Sequence, residues 1–326
     1  MFPISRAALA ACLAVLSVPA FVHAQVFNFT KDQLTELTAK NPYGRFDDGR
    51  PKVPDYLLER MRGVSAEEIF NVVGSGGGGG GRGGNGPGNF KNTYADGFEI
   101  LHPDKKMVGR AFTVQFMPLR QDLEDVANAK AAAAGRGRAY NQMAIDMLQP
   151  GDVLVVDLMG MGENGTIVGD NLFYYIMKTV KTGGLVVDGA IRDLEGIKEM
   201  NMPAYFKKSH PSFLTNVTLT GVNIPIRIGN ATVMPGDVVV GDPEGVYFVP
   251  PQLVEAVVNG ADTIHIHDEW SRKKFDEEKY KSSDIYGSPK DPVLKKEYQD
   301  YLTGKLAELK KKYDAEKAEW EKKEKK

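Results

Sequence analysis

The sequence predicts a layered α/β domain with helical extensions at both ends. Two apolar runs are each opened by the same three residues, PGDVLVVD (150–157) and PGDVVVGD (235–242), and read as buried strands entered through tight turns. Between them, helix-like and strand-like segments alternate, with glycine and proline as punctuation: NLFYYIMKTVKTG, LVVDG, LEGIKEMNM, then short strands around PAYFKK, VTLTGVNIPIRIG and ATVMPG. That alternation defines the α/β class. After Pro251 the pattern becomes helical and then heavily charged.

From the start, MFPISRAALAACLAVLSVPAFVHAQ has Arg6, an apolar run from Ala7 to Val22, and Val22-His23-Ala24 before Gln25. This is the form of a secretory signal peptide cleaved after Ala24, which predicts a secreted or periplasmic protein. Residues 25–62 read as a lead-in: KDQLTELTAK helical, NPYGRFDDGRPKVP turn-rich, DYLLERMRG helical. VSAEEIFNVVG follows with Ser65 as its expected N-cap. The run GSGGGGGGRGGNGPG (74–88) lacks the Gly-Lys-Ser/Thr ending of a phosphate loop and reads as a flexible insertion. HPDKKMVGRAFTVQFMP predicts a turn and an alternating strand, and LEDVANAKAAAAGRGRAYNQMAIDML a helical stretch interrupted at GRGR. The segment from Gln252 to Tyr280 reads as one helix with a weak point at Gly260. The last segment sets Leu294, Tyr298, Leu302, Leu306, Leu309, Tyr313 and Trp320 in a narrow apolar stripe, suited either to its own domain or to a partner.

Composition removes several functions. Cys12 is the only cysteine and lies in the expected signal, so thiol nucleophiles and cysteine metal sites are excluded. A net charge of −2 gives no reason to expect nucleic acid, and no segment of the mature chain is long and apolar enough to span a bilayer.

The stretch GGLVVDGAIRD (183–193) sends a buried strand into a turn and sets Arg192 and Asp193 side by side at its carboxyl end, where α/β folds tend to bind ligands. Upstream, GENGTIVGDNLFYY carries a Gly-rich loop into a helix starting around Gly169, Asp170 and Asn171. The first amides of a helix are unpaired and favour an anion, so those near Leu172 and Phe173 could hold a carboxylate opposite Arg192, with a cation on Asp193. The plainer alternative is that Asp193 caps the next helix and Arg192 makes a surface ion pair. Asp157 and Asp188 end apolar strands and read either as turn residues, the favoured role, or as carboxylates supporting the site from behind. In His265-Ile266-His267-Asp268-Glu269 only His265 and Glu269 share a helical face, which argues against a metal site. Lys178 and Lys181 lie on an expected exposed face, unlike a Schiff-base lysine.

The pieces GRAFTV (109–114), QPGDVLVVD (149–157), GDNLF (169–173), VVDGAIRD (186–193) and PGDVVVGDPEGVYFVP (235–250), in this order, resemble the RraA-like family, which includes the class II 4-hydroxy-4-methyl-2-oxoglutarate aldolases. The resemblance implies a compact layered α/β domain of the swivelling type, assembled as a homotrimer or hexamer with sites at subunit boundaries. It implies a divalent-metal-dependent lyase that cleaves a 4-hydroxy-2-oxo acid to pyruvate, with oxaloacetate decarboxylation as a companion activity. In that reading Asp193 ligates Mg2+ or Mn2+, Arg192 contacts the 2-oxo oxygen, the backbone from Asp170 through Asn171 and Leu172 to Phe173 holds the small 2-oxo acid substrate, and Glu269 is the acidic residue lent by a neighbouring subunit. Where many catalytic members carry an acidic residue, this chain has Asn171, with Asp170 immediately before it. Relatives that lack the Arg-Asp pair inhibit an RNA-degrading enzyme by contact; a non-catalytic regulator or a trimeric scaffold is therefore the alternative. The expected organisation is a signal peptide (1–24), lead-in (25–62), catalytic domain (63–260) and charged helical extension (261–326).

Overall fold

Alternation along the strand Met107–Pro118 sets the architecture. Val108, Phe112, Val114 and Phe116 face one side of the sheet and Met107 and Ala111 the other, and all six are buried. A strand buried on both faces needs a layer on each side. The computed structural model describes residues 28–74 and 90–324; the expected signal peptide and positions 75–88 of the Gly-rich stretch lie outside the described residues.

In chain order the strands are β1 (Tyr94–Ala95), β2 (Glu99–Ile100), β3 (Met107–Pro118), β4 (Asp152–Asp157), β5 (Gly184–Ile191), β6 (Ala204–Ser209), β7 (Val217–Val222), β8 (Ile226–Ile228), β9 (Ala231–Val233), β10 (Val238–Asp242) and β11 (Gly245–Val249). The helices are α1 (Lys31–Leu37), α2 (Asp55–Met61), α3 (Ala66–Ile69), α4 (Gln121–Ala133), α5 (Asn141–Ile145), α6 (Asp170–Val180), α7 (Leu194–Ile197), α8 (Val254–Asp276), α9 (Ser282–Ile285) and α10 (Pro292–Glu324). The main sheet runs β1-β11-β10-β3-β4-β5-β6-β2, with β7 also paired to β3. Its centre, β3 to β6, is parallel, and the pairings outside it are antiparallel. Helices α4 to α7 cover one face over β3–β6; α2, α3 and α8 cover the same face over β10 and β11; the β8–β9 hairpin closes the other.

Both Pro-Gly-Asp turns open strands as expected, by the same device. Gly151 and Gly236 take φ of +83° and +85°. The Asp152 carboxylate accepts the Gln149 N–H at 2.9 Å, and that of Asp237 accepts the Met234 N–H at 2.8 Å. Ser65 caps α3 in a reciprocal box with Glu68. Helix α4 stops at Ala133, where Gly135 turns at φ +70°, so the GRGR interruption is a loop.

The lead-in is woven into the domain. Arg50 is fully buried, bonds both oxygens of Asp152 (2.7 and 3.3 Å) and lies between the Phe46 and Phe112 rings, 5.0 Å from each centroid. Two local expectations change. LEGIKEMNM forms only the four-residue α7, with Gly196 inside it and Pro203 soon after. Gly260 does not weaken α8: a Cβ there would sit 2.8 Å from Val72, so glycine lets the helix pack closely on the segment after α3. Helix α10 folds back on its own chain. Leu294 joins Trp270 and Ile285 in a small core, and the Arg60 guanidinium stacks 3.6 Å from the Tyr313 ring.

Candidate active site

The Arg192–Asp193 pair is placed by a short zipper along the last residues of β5. Ala190 N–H donates to the Gly165 carbonyl (2.9 Å), Ile167 N–H to that of Ala190 (2.9 Å), and Arg192 N–H to that of Val168 (3.1 Å). The glycine-containing loop thus runs alongside the strand end and starts α6 against the pair. Gly169 is the contact point. A Cβ there would lie 2.3 Å from Asp193 Oδ2 and 2.9 Å from Arg192 Nε, so a side chain would push the pair off the helix start.

Asp193 takes a left-handed conformation, φ +59° and ψ +39°, at the position preceding α7. Aspartate tolerates this region better than most residues, at a cost on the order of 1 kcal/mol. Its side chain makes no capping bond to α7, so the plain capping role is not the one it plays. Instead Oδ2 lies 3.4 Å from Arg192 Nε and 3.4 Å from the Asp170 N–H, which donates to it, and the side chain is 45% exposed. The Arg192 guanidinium stacks 4.5 Å from the Phe213 ring, which holds the planar group in place.

The first turn of α6 divides its amides unequally. Asn171 N–H donates to the Asp170 carboxylate (2.7 Å), and Phe173 N–H donates to the Gly169 carbonyl (3.0 Å). Phe173 is therefore corrected as an anion donor: its amide closes the first helical turn and its ring is buried in the core. Among the described residues, no acceptor takes the Leu172 N–H, which is left as the free donor of that turn. Asp170, the first residue of α6, accepts an amide of its own first turn and lies beside α7, where a Cβ on Gly196 would be 3.7 Å from Asp170 Oδ2. Asn171 points to solvent.

Glu269 belongs to different surroundings within this chain. It is bound by Lys273 (2.8 Å) and by Lys305 of α10 (3.4 Å), and the hydrogen bond from Lys273 leads the interactions that hold its carboxyl down near pKa 2. His265 bonds Glu68 at 2.6 Å, tying α8 to α3. Asp157 and Asp188 project from paired positions of β4 and β5 to the hairpin side of the sheet, where Asp157 accepts the Met159 N–H (3.0 Å) and Asp188 lies 4.0 Å from Arg227. Burial pushes the Asp157 carboxyl above its ordinary value.

Sequence reasoning missed the loop 210–215 and Tyr140. Ser212 accepts the Asn164 N–H (2.7 Å), Thr215 N–H donates to the Asn164 carbonyl (3.0 Å), and the Tyr140 hydroxyl donates to the Leu214 carbonyl. These bonds hold Phe213 over Arg192. The loop HPSFLT (210–215) offers only a Pro-Ser turn signal after a strand, and nothing local marks Tyr140.

A parallel-strand end, a guanidinium, an open carboxylate and a helix start meet at one glycine of a layered α/β protein and form its candidate site. Residues 88–248 match the RraA-like family, described as Aldolase/RraA, and this part of the chain is RraA-like. A Halalkalibacterium halodurans protein provisionally named 4-hydroxy-4-methyl-2-oxoglutarate aldolase is 29% identical over 158 residues, covering 48% of this chain and 74% of that one. A protein of the same provisional name from Ectopseudomonas mendocina is 32% identical over 111 residues, 33% of this chain and 66% of the relative. The crystal structure of Streptomyces coelicolor RraAS2, described as an unusual member of the RNase ES inhibitor RraA family, superposes with a TM-score of 0.56 at 26% identity, covering 68% of this chain and all of that one. An uncharacterized Pseudomonas syringae protein shares the fold, with a TM-score of 0.53 at 22% identity over 69% of this chain and 94% of its own.

Proposed function

We propose that this chain is a divalent-metal-dependent carbon–carbon lyase that cleaves a 4-hydroxy-2-oxo acid to pyruvate and can decarboxylate oxaloacetate. The observation that carries the reading is the close approach at Gly169, which sets Arg192 and Asp193 against the start of the helix whose Leu172 N–H is free. Both reactions break a bond to C3 and leave an electron pair on pyruvate enolate, so the site must stabilise charge growing on the 2-oxo oxygen. Arg192, held flat by Phe213, donates to that oxygen. Leu172 N–H, at the positive end of α6, takes the neighbouring carboxylate.

The residues fit a hard cation such as Mg2+ or Mn2+. Among the described residues no group of three or more His, Cys, Asp or Glu side chains could hold a metal. Asp193 offers one open carboxylate, which suits an ion that keeps waters and takes substrate oxygens for the remainder. When bound there, the cation supplies electrophilic polarisation of the 2-oxo acid. Tyr174 and Tyr175 of α6 and Phe213 remain 48%, 45% and 67% exposed beside the site, which supports assembly into a homotrimer or hexamer. We place the mature protein outside the cytoplasm on the strength of residues 1–24.

The test is pyruvate release from oxaloacetate and from 4-hydroxy-2-oxo acids with Mg2+ or with EDTA. Turnover should need the metal and fall by at least about a hundredfold in Arg192→Ala. The likeness to RraAS2 favours a second reading, binding without turnover; no release of pyruvate from any of these acids would support it.

A further inference from the structure

We propose that the cleft beside the second Pro-Gly-Asp turn is a binding site for a small organic cation, an ammonium carried on an apolar body, with Asp237 as its counter-ion. The site is independent of the lyase reading, since none of the residues lining the cleft belongs to the Arg192–Asp193 site. The alternation of β10 fixes where Asp237 points. Val238 and Val240 face α2, α3 and α8, and Val239 faces the β8–β9 hairpin, so Asp237, one residue before β10, projects to the hairpin side. There it lines a cleft of about 490 Å3, whose apolar walls are Leu37, Phe90, Met234, Pro250 and Pro251. A concave apolar site with one buried charged group is the usual form of a small-ligand pocket.

The two Pro-Gly-Asp turns differ in one respect. Each aspartate is buried and accepts the N–H of the residue three positions before it, but Asp152, on the helix side, is matched by Arg50. Asp237 has no ion pair among the described residues. The cations around it are committed elsewhere. Arg110, on the neighbouring strand, donates to the Val53 carbonyl and bonds Asp55, and Lys52 lies 5.9 Å from the Phe46 ring. Glu36, Lys40 and Lys91 border the cleft, and the hairpin end and Pro250–Gln252 bring no charge to it. None of these groups shifts the Asp237 carboxyl, which burial pushes up to about 7 against the pull of the Met234 N–H. A carboxylate only 3% exposed and without a countercharge is costly when ionised. An ammonium in the cleft supplies that charge, and the apolar walls take its chain. Only the ionised carboxyl pairs with it, so binding must drive off the Asp237 proton below pH 7 and needs no such step above it.

The probes are hexylammonium and 1-hexanol, which shares the chain without the charge, titrated by NMR at constant ionic strength. At about pH 8 the wild type should bind hexylammonium about tenfold more tightly than hexanol, the ratio expected for one charge-assisted contact. Hexylammonium stays charged throughout, so its affinity should fall as pH drops below about 7 and approach that of hexanol near about pH 6, while hexanol binding stays constant. Asp237→Asn keeps an acceptor for the Met234 N–H. It should bring the ratio close to one and withstand urea at about pH 8 at least as well as the wild type, because it removes an unmatched buried charge. Equal binding of the two probes by the wild type, a preference that does not change with pH, or one that survives in the variant overturns the site. So does a wild type that binds neither probe. Should the variant fail to fold, the wild-type pH profile decides by itself.

Discussion

Asp193 holds a backbone conformation that glycine would adopt more easily, and this separates its function from its stability contribution. Its carboxylate caps nothing on α7 and faces Arg192 and the start of α6. Asp193→Gly should therefore keep or slightly raise the melting temperature while removing metal-dependent turnover. A variant that loses stability instead would make Asp193 a structural cap. The Arg-Asp pair was legible in sequence because strand, turn and charges are contiguous there. Phe213 and Tyr140 were not, because they reach Arg192 only through bonds between loops far apart in the chain. The free amide was half legible: the helix start was readable, but that Phe173 N–H is taken by Gly169 follows from where the first turn closes.

At the scale of elements, the bond between His265 and Glu68 joins α8 to α3 and makes their docking pH-dependent. The hydrogen bond to Glu68 raises the His265 pKa above its ordinary 6.5, so this contribution is complete below that value and fades as pH rises through the raised one. Burial pushes the Glu68 carboxyl up, but the bonds from His265 and Ser65 outweigh it and leave it below 4.5; that contribution is complete above 4.5 and lost as pH falls through the lowered value. Both are in place from about pH 4.5 to 6.5. His265→Gln should lower the melting temperature most in that window, and the deficit should shrink as pH rises through the raised His265 pKa. A deficit that is constant with pH would mean the contact acts through packing alone. The sequence showed His265 on a helix facing Glu269; it could not show Glu68, which the fold brings in from nearly two hundred residues away.

On the scale of the molecule, the alternation of helices and strands and both Pro-Gly-Asp entries were readable, because turn chemistry and apolar runs are local. The order of strands was not, since β10 pairs antiparallel with β3 across more than a hundred residues. Nor did composition reveal that the turn-rich lead-in locks the domain. Arg50 neutralises a buried Asp152, so Arg50→Ala should cost about 3 to 5 kcal/mol in urea unfolding. A loss under about 1 kcal/mol would show the lead-in to be dispensable.

The central claim is that Arg192, Asp193 and the Leu172 amide serve one small acid, and a crystal structure soaked with Mg2+ and oxalate addresses it most directly. The account predicts oxalate bridging Arg192 and the Leu172 N–H, with the cation on Asp193. Oxalate bound elsewhere, or a cation held by other residues with Asp193 empty, would contradict it.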